Sequence, residues 1–260
     1  MLLAIDVGNT ETKLGCFDGG GDALTHHWRV NTDARRTPDE YGVFFTQLFA
    51  TASLPVSRID AVAIASVVPR LDSTLAEVCE KFFHVKPHFL QPQTQRLIEV
   101  RTLRPAEVGA DLVAAAIGAR ERYGSPLIVV SYGTATVFTA ISSAGEYLGV
   151  AIAPGINISI DALVGRTAKL PQIALDAPER AIGRDTVEAL QAGIIYGFAG
   201  QTEAIVTRMR SELGTDARVV ATGGLAEVVA KHSAIIECVD SNLSLFGLRL
   251  FFASERDTYR

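Results

Sequence analysis

The segment Leu2-Leu3-Ala4-Ile5-Asp6-Val7-Gly8-Asn9-Thr10-Glu11-Thr12-Lys13-Leu14-Gly15-Cys16-Phe17 decides the fold of this chain. An apolar run at residues 2–5 ends in an acid and enters a Gly-Asn-Thr turn, and a second apolar run at residues 14–17 leaves that turn. This pattern predicts a β-hairpin with a polar turn. An ordinary hairpin with an asparagine in its turn is the simplest interpretation, and a phosphate-binding loop is the functional one.

The turn of this hairpin has the composition of a loop that binds an anion. Glycine lets backbone amides approach an anion closely, hydroxyl groups donate hydrogen bonds, and Lys13 adds a positive charge. The carboxylate of Asp6 would be repelled by a phosphate. We therefore expect Asp6 to meet a phosphate through Mg²⁺ and its waters.

The composition limits the class of protein and its partners. The 260 residues are 48% hydrophobic and 20% charged, which predicts a globular protein of one or two domains. A net charge of −5 without a long basic run argues against nucleic acid as a partner. Cys16, Cys79 and Cys238 lie far apart in the sequence, which favours buried thiols in a reducing cytoplasm.

The sequence also bears on targeting. Met1 leads directly into the first predicted strand, so we expect no signal peptide. No apolar run approaches the ~20 residues of a membrane span, so we expect no membrane segment and a cytoplasmic location.

Strands and helices alternate along the first half of the chain. Their periodicities predict strands at residues 28–30, 59–68 and 88–90, and amphipathic helices at residues 38–52, 71–83 and 112–119. This alternation is typical of a layered α/β fold.

The second half opens with the same pattern. Residues 126–141 are an apolar strand, a small-residue turn containing Gly133 and Thr134, and another apolar strand. Residues 219–226 then form a strand that runs into Gly223-Gly224 at a helix start, where the missing side chains leave room for a flat ring or a ribose. Two similar halves suggest a duplicated fold. We expect one domain at residues 1–115, a second at residues 116–260, and a cleft between them.

The three loops, taken in this order, resemble the two phosphate loops and the adenosine loop of the actin, sugar kinase and heat-shock chaperone superfamily. More narrowly, the chain resembles the type III pantothenate kinases. The matching motifs extend over nearly the whole chain: Asp6 to Thr10, Ser66 to Pro69, Glu107 to Asp111, Gly133 to Thr136, Ala151 to Gly155, Thr167 to Pro171, Ile182 to Thr186, Gln191 to Gly193, Tyr196-Gly197 and Ala221 to Leu225.

The resemblance implies an α/β fold of duplicated actin-like (ribonuclease H-like) domains, with mixed sheets flanked by helices and a nucleotide cleft between them. It also implies a reaction, in which ATP phosphorylates the terminal hydroxyl of pantothenate to give 4'-phosphopantothenate, the first step of coenzyme A synthesis. Asp111 matches the catalytic acid of the family and would accept the hydroxyl proton. A helix N-cap is the alternative explanation for a carboxylate at this place.

The resemblance assigns the remaining ligand contacts residue by residue. Asp6 would help to place Mg²⁺, and Thr186 would reach pantothenate from the partner subunit, which implies a homodimer. The residues expected around ATP are Asp6, Val7, Gly8, Asn9, Thr10, Glu11, Thr12, Lys13, Thr134, Gly223 and Gly224. Those expected around pantothenate are Thr102, Gly109, Ala110, Asp111, Leu112 and Thr186.

Three positions depart from the family pattern. Ser131 replaces an acid that helps to hold a monovalent cation, usually K⁺ and in some cases NH₄⁺, so we expect a weakened or absent cation site. Leu112 replaces an arginine expected near the pantothenate carboxylate, and Thr102 replaces a substrate-side tyrosine. Arg101 or Arg104 could supply the lost charge, although solvated surface residues are the simpler interpretation.

Two alternative functions therefore stay open. The chain could be a catalytically degenerate relative that binds nucleotide and regulates a partner. It could also be a kinase of the same fold that phosphorylates another small hydroxyl compound. A general base at position 111 favours a kinase, because a binding module has little need of one.

Overall fold

The computed structural model describes residues 1–18, 21–165, 171 and 173–258. Contacts divide the chain into two compact units: Met1–Gly118 together with the segment from Leu243 onward, and Ala119–Asn242. The domain boundary predicted between residues 115 and 116 stays a prediction. Of the family motif at residues 167–171, all but Pro171 lies outside the described residues.

Ten strands and seven α-helices form the described part of the chain. The strands are β1 (Leu2–Val7), β2 (Glu11–Phe17), β3 (Leu24–Asn31), β4 (Ala61–Ser66), β5 (His88–Phe89), β6 (Leu127–Tyr132), β7 (Ala135–Ile141), β8 (Tyr147–Pro154), β9 (Arg218–Thr222) and β10 (Cys238–Val239). The helices are α1 (Pro38–Thr51), α2 (Pro69–Val78), α3 (Ala110–Tyr123), α4 (Ile156–Gly165), α5 (Thr186–Leu213), α6 (Ala226–Ala230) and α7 (Leu243–Thr258). None of these helices is long and apolar enough to cross a membrane.

The sheet of the first unit has the strand order β3-β2-β1-β4-β5. β1 and β2 are antiparallel, with Leu2 opposite Phe17, and β1 runs parallel to β4 on its other side. Every residue of β1 is buried, because a central strand of a mixed sheet is covered on both faces. The predicted hairpin is therefore confirmed and lies at the centre of its unit.

Helix α1 begins at Pro38 as the sequence predicts, whereas α2 and α3 each begin two residues before the predicted start. Thr37 and Glu40 form a reciprocal capping box that starts α1. The helix predicted at residues 71–83 was wrong at its end, since α2 stops at Val78 and residues Cys79–Phe83 form a π-helical turn. That turn directs Phe83 onto Phe49 of α1, with ring centroids 5.8 Å apart. Packing against α1 thus overrides the helical periodicity.

The second unit repeats the plan of the first. Its strand order is β10-β9-β6-β7-β8, with β6 and β7 antiparallel and β6 parallel to β9. Helix α5 starts at Asp185, whose side chain accepts a hydrogen bond from the Glu188 amide, and ends at Gly214 in the left-handed region. A hairpin beside a parallel strand in each unit confirms the predicted duplication.

Helices α3 and α7 of the first unit approach each other at two glycines. A Cβ atom on Gly247 would lie 1.8 Å from the Ala114 carbonyl oxygen, and one on Gly118 would lie 2.3 Å from that of Leu243. Any larger side chain would force the two backbones apart. The C-terminal helix is therefore fixed against the helix that begins with Ala110-Asp111.

Candidate active site

Asp111 is the second residue of α3, so it lies inside the helix and not at the N-cap position before it. Its Oδ1 accepts a hydrogen bond of 2.8 Å from the Leu112 amide, one of the N-terminal amides that lack a partner within the helix. The preceding Gly109 carbonyl accepts from the amides of Leu112 and Val113, each at 3.1 Å. The N-cap interpretation of Asp111 is therefore wrong, although its carboxylate does accept a hydrogen bond from an amide of the first turn.

The surroundings of Asp111 raise its pKa to about 6. Burial is the main cause, and the negative charge of Asp6 adds to it. The Leu112 amide and the positive charge of Lys13 act in the opposite direction. A carboxylate with this pKa is ionised at neutral pH and still accepts a proton readily, which suits a general base.

Asp6 lies near the end of β1 and is 7% exposed. It is paired across the hairpin with Lys13, and its Oδ2 accepts a hydrogen bond from the Ser244 hydroxyl of α7. Burial raises the pKa of Asp6, while the charge of Lys13 and the Ser244 hydrogen bond oppose that rise. The structure therefore brings Asp6, Lys13 and Asp111 into one electrostatic group, as the functional interpretation requires.

Ser244 is a site residue that sequence reasoning missed. It is the second residue of an apolar helix and lies 238 positions from Asp6 in the sequence. A serine at a helix start is normally explained by capping, so the local pattern contained no signal that could have found it.

The turn between β1 and β2 is held by a hydrogen bond from the Gly8 amide to the Glu11 carbonyl, 3.0 Å long. A Cβ atom on Gly8 would lie 2.9 Å from that same carbonyl oxygen, so the tight turn requires glycine. Asn9 and Thr10 are exposed at its tip. Their polar groups are therefore accessible to a ligand.

Three other residues predicted to contact ATP have side chains that are buried or bonded to other residues of the first unit. Val7 is buried in the core. The Thr12 hydroxyl is buried and lies 2.8 Å from the Thr32 hydroxyl, and Glu11 forms a 2.9 Å ion pair with Arg29. Contacts of these three residues with ATP stay predictions.

The turn between β6 and β7 presents Gly133 and Thr134 as exposed residues. The Thr134 carbonyl accepts a hydrogen bond of 3.2 Å from the Gly155 amide, and a Cβ atom on Gly155 would lie 2.2 Å from that oxygen. Ser131 precedes the turn in β6, half-buried and paired with Thr222 of β9. Among the described residues, no cluster of three or more His, Cys, Asp or Glu side chains could hold a metal ion.

The diglycine follows β9 as predicted. Gly223 has a φ of +98°, and a Cβ atom there would lie 2.4 Å from the Tyr132 carbonyl oxygen. Only glycine combines this left-handed backbone with so close an approach. Gly224 is exposed beside it, which leaves the edge of this loop open to a ligand.

The residues predicted around pantothenate lie in three places: the start of α3, the loop before it and the start of α5. Gly109, Ala110 and Leu112 flank Asp111 at the start of α3, and a Cβ atom on Gly109 would lie 2.5 Å from Asp111 Oδ1. The Thr102 hydroxyl is buried without a hydrogen-bond partner in the described part of the chain. Thr186 is the exposed first residue of α5.

Arg101 and Arg104 lie on the solvent-exposed surface, as the simpler interpretation of these residues predicts. Arg101 forms a 3.2 Å ion pair with Glu99, and Arg104 forms a 3.0 Å ion pair with Glu107. All four side chains are more than half exposed to solvent. Both arginines are therefore solvent-exposed surface residues, and a role for either in replacing the charge missing at Leu112 stays a prediction.

Comparison with known proteins adds the family and the fold. The model of the type III pantothenate kinase family matches residues 2–208. The type III pantothenate kinase of Myxococcus xanthus is 47% identical over 252 residues, covering 97% of this chain and 98% of the relative. That of Geobacillus sp. (strain WCH70) is 44% identical over 257 residues, covering 99% of each.

A solved structure supports the same fold. The activator of the 2-hydroxyisocaproyl-CoA dehydratase from Clostridium difficile, with bound ADPNP, has a TM-score of 0.60 at 12% identity, covering 99% of this chain and 97% of that one. The predicted α/β fold with duplicated actin-like domains is thereby confirmed.

Proposed function

The chain belongs to the type III pantothenate kinase family, and from this membership we propose that it transfers the terminal phosphoryl group of ATP to the terminal hydroxyl of pantothenate. The product would be 4'-phosphopantothenate, the first intermediate on the route to coenzyme A. The observation that carries this proposal is the Asp111 carboxyl, whose pKa is about 6 beside Asp6 and Lys13. Because ATP is the phosphoryl donor, we place the protein in the cytoplasm.

The reaction needs positioning and charge stabilisation more than covalent chemistry. The substrate oxygen would attack the γ-phosphorus as its proton passes to Asp111, and the bond between that phosphorus and the oxygen of ADP would break. The amides of Asn9 and Thr10, in the turn that Gly8 closes, are assigned to the phosphates together with Lys13 and Thr134. Gly223 and Gly224 are assigned to adenosine.

The carboxylate of Asp6 fits what Mg²⁺ needs from a protein. Mg²⁺ usually binds proteins through one or two carboxylates together with the phosphates of its nucleotide, so it needs no cluster of protein ligands. Asp6 supplies such a carboxylate; burial raises its pKa, and the charge of Lys13 and the Ser244 hydrogen bond oppose that rise. Bound with ATP, Mg²⁺ would neutralise charge on the β- and γ-phosphates.

The serine at position 131 leads to a testable prediction about monovalent cations. A hydroxyl group brings no charge to offset dehydration of K⁺, so we expect the same rate with K⁺ as with Na⁺ at equal ionic strength. The Ser131→Asp variant should gain a severalfold stimulation by K⁺ or NH₄⁺. The assay combines purified protein, ATP, Mg²⁺ and pantothenate, with mass-spectrometric detection of the phosphorylated product.

The same assay separates the alternatives. A wild-type rate that depends on K⁺ would show that our interpretation of Ser131 is wrong. Pantothenate that stays unconsumed under every salt condition would refute the proposed substrate. ATP turnover with another small hydroxyl compound would then identify a kinase of different specificity, and binding of ATP without turnover would identify a degenerate relative.

An apolar surface in the second unit supports the homodimer that a partner-supplied Thr186 requires. β8 is an edge strand, and its outward residues Leu148, Val150 and Ile152 are exposed, the last to 67%. Ile158 on the adjacent α4 is exposed as well. Exposed apolar residues of this kind indicate a protein interface, and we propose that a second copy of the chain covers them.

Replacing Ile152 by aspartate should therefore convert a dimer into a monomer, because the charge would be buried in the interface. Light scattering coupled to size-exclusion chromatography measures the mass directly. The matched control is Val43→Asp, which places the same charge on an exposed apolar position of α1. A wild-type mass equal to one chain, or a dimer that survives Ile152→Asp, would contradict the proposed interface.

A further inference from the structure

Ser244 links the C-terminal helix to the carboxylate of Asp6. Both residues are almost fully buried, at 5% and 7% exposure, and the Ser244 hydroxyl donates to Asp6 Oδ2. Buried polar groups of this kind are retained when they satisfy each other, because an unpaired buried carboxylate is costly. The pair is therefore a fixed element of the first unit and not a chance surface contact.

The backbone that carries Ser244 has little freedom to move. Gly247, one helical turn further along α7, lies against the Ala114 carbonyl of α3, where even a Cβ atom would approach to 1.8 Å. Helix α7 is thus held by the same helix that carries Asp111. The Ser244 hydroxyl can consequently act as a rigid donor, which a serine on a mobile loop could not do.

We propose that Ser244 is a positioning residue for phosphoryl transfer, whose hydroxyl holds the Asp6 carboxylate in the single orientation that serves Mg²⁺-ATP. This inference rests on the proposed function and adds a residue to it. Lys13 and Glu11 of β2 are the charged groups that act on Asp6 from the hairpin, and the charge of Asp6 in turn acts on Asp111 of α3. Among the described contacts, the hydrogen bond to Asp6 Oδ2 comes from Ser244 and not from any of these charged groups.

Removing the Ser244 hydroxyl should affect Mg²⁺ binding more than the stability of the fold. Groups that orient a metal-associated carboxylate typically change metal affinity or activity by about 10–100-fold when removed. Loss of the hydroxyl in Ser244→Ala should therefore raise the Mg²⁺ concentration for half-maximal rate by about 10-fold or more and lower kcat, with little change in the KM for pantothenate. Ser244→Thr retains the hydroxyl and should restore the wild-type Mg²⁺ dependence.

The decisive measurement is calorimetric titration of ATP into the protein with and without Mg²⁺, which needs no pantothenate. In the wild type and Ser244→Thr, Mg²⁺ should strengthen ATP binding, and in Ser244→Ala most of this gain should be lost. Ser233→Ala is the matched control, because Ser233 is equally buried and donates to Glu203 in the second unit. Urea unfolding of all four proteins measures the accompanying loss of stability.

The outcomes separate this inference from the proposed function. If Ser244→Ala and Ser233→Ala show the same Mg²⁺ effect on ATP binding as the wild type, the positioning role is refuted even where pantothenate is phosphorylated. If the Mg²⁺ effect is lost only in Ser244→Ala, the role holds even for a wild type that leaves pantothenate unconsumed. If Ser244→Thr behaves like Ser244→Ala, the hydroxyl is not the acting group and the proposal fails.

Discussion

Asp111→Asn is expected to lower kcat by about 10²–10⁴-fold, the usual contribution of a general base. Asparagine has nearly the same shape and can still accept the hydrogen bond from the Leu112 amide, so the start of α3 should stay intact. It cannot accept the proton of the substrate hydroxyl at neutral pH. Initial rates of phosphopantothenate formation, with both substrates saturating, measure the loss.

The same variant is expected to be more stable than the wild type at pH 7.5. The folded-state pKa of Asp111 lies above that of an unfolded aspartate, because burial and the charge of Asp6 disfavour its ionised form. Its contribution to stability is therefore fully present below about pH 4 and is lost as pH rises through about 6. Removing the charge should raise the free energy of unfolding by on the order of 2 kcal/mol at neutral pH.

A matched control for Asp111→Asn is available on α1. Asp39 is also the second residue of its helix, but it is exposed and paired with Lys81. Asp39→Asn should leave kcat unchanged and alter stability by less than about 1 kcal/mol, as is typical of surface pairs. Full activity in Asp111→Asn, or equal losses in both variants, would show that Asp111 is not the base.

Gly247→Ala is expected to produce the largest loss of stability. The added Cβ atom would lie 1.8 Å from the Ala114 carbonyl oxygen, and both partners are helix backbone that cannot rotate away. Overpacking of this kind typically costs about 1–3 kcal/mol and more where the backbone must shift. Urea denaturation followed by circular dichroism measures the change, and kcat should fall as well, because α3 carries Asp111 and α7 carries Ser244.

Gly200→Ala in α5 is the control for that substitution. Nothing lies within 4 Å of a Cβ atom at Gly200, so alanine there should stabilise the helix by about 0.5–1 kcal/mol. The two variants differ only in what the new methyl group meets. If Gly247→Ala were as stable as Gly200→Ala, the close approach of α3 and α7 would be contradicted.

The elements that the sequence predicted correctly are those with a local signal. Both hairpins combine apolar strands with a glycine turn, and the start of α1 has a proline and a capping box. The end of α2 could not be predicted, because it depends on how Phe83 packs against α1. The close approach of α7 to α3 depends on Gly247 against Ala114 and Gly118 against Leu243, contacts distant in sequence that no local pattern encodes.

The candidate site shows the same division. Asp6, Lys13 and Asp111 were predicted and lie in one electrostatic group, with Asp6 and Lys13 paired across the hairpin and Asp111 in the first turn of α3. The burial of the Thr12 hydroxyl against Thr32 was not foreseen, because it depends on the register of β3 beside β2. The contact between Ser244 and Asp6 depends on the whole fold of the unit.

The most direct test of Asp111 as the general base is the pH dependence of kcat/KM for pantothenate in the wild type, measured from about pH 5 to 8. A single base with a pKa of about 6 predicts a plateau above pH 7 and a fall of about tenfold per pH unit well below 6, which Asp111→Asn abolishes. A wild-type profile that stays flat through pH 6, or one that Asp111→Asn leaves unchanged in shape and height, would show that Asp111 is not the base.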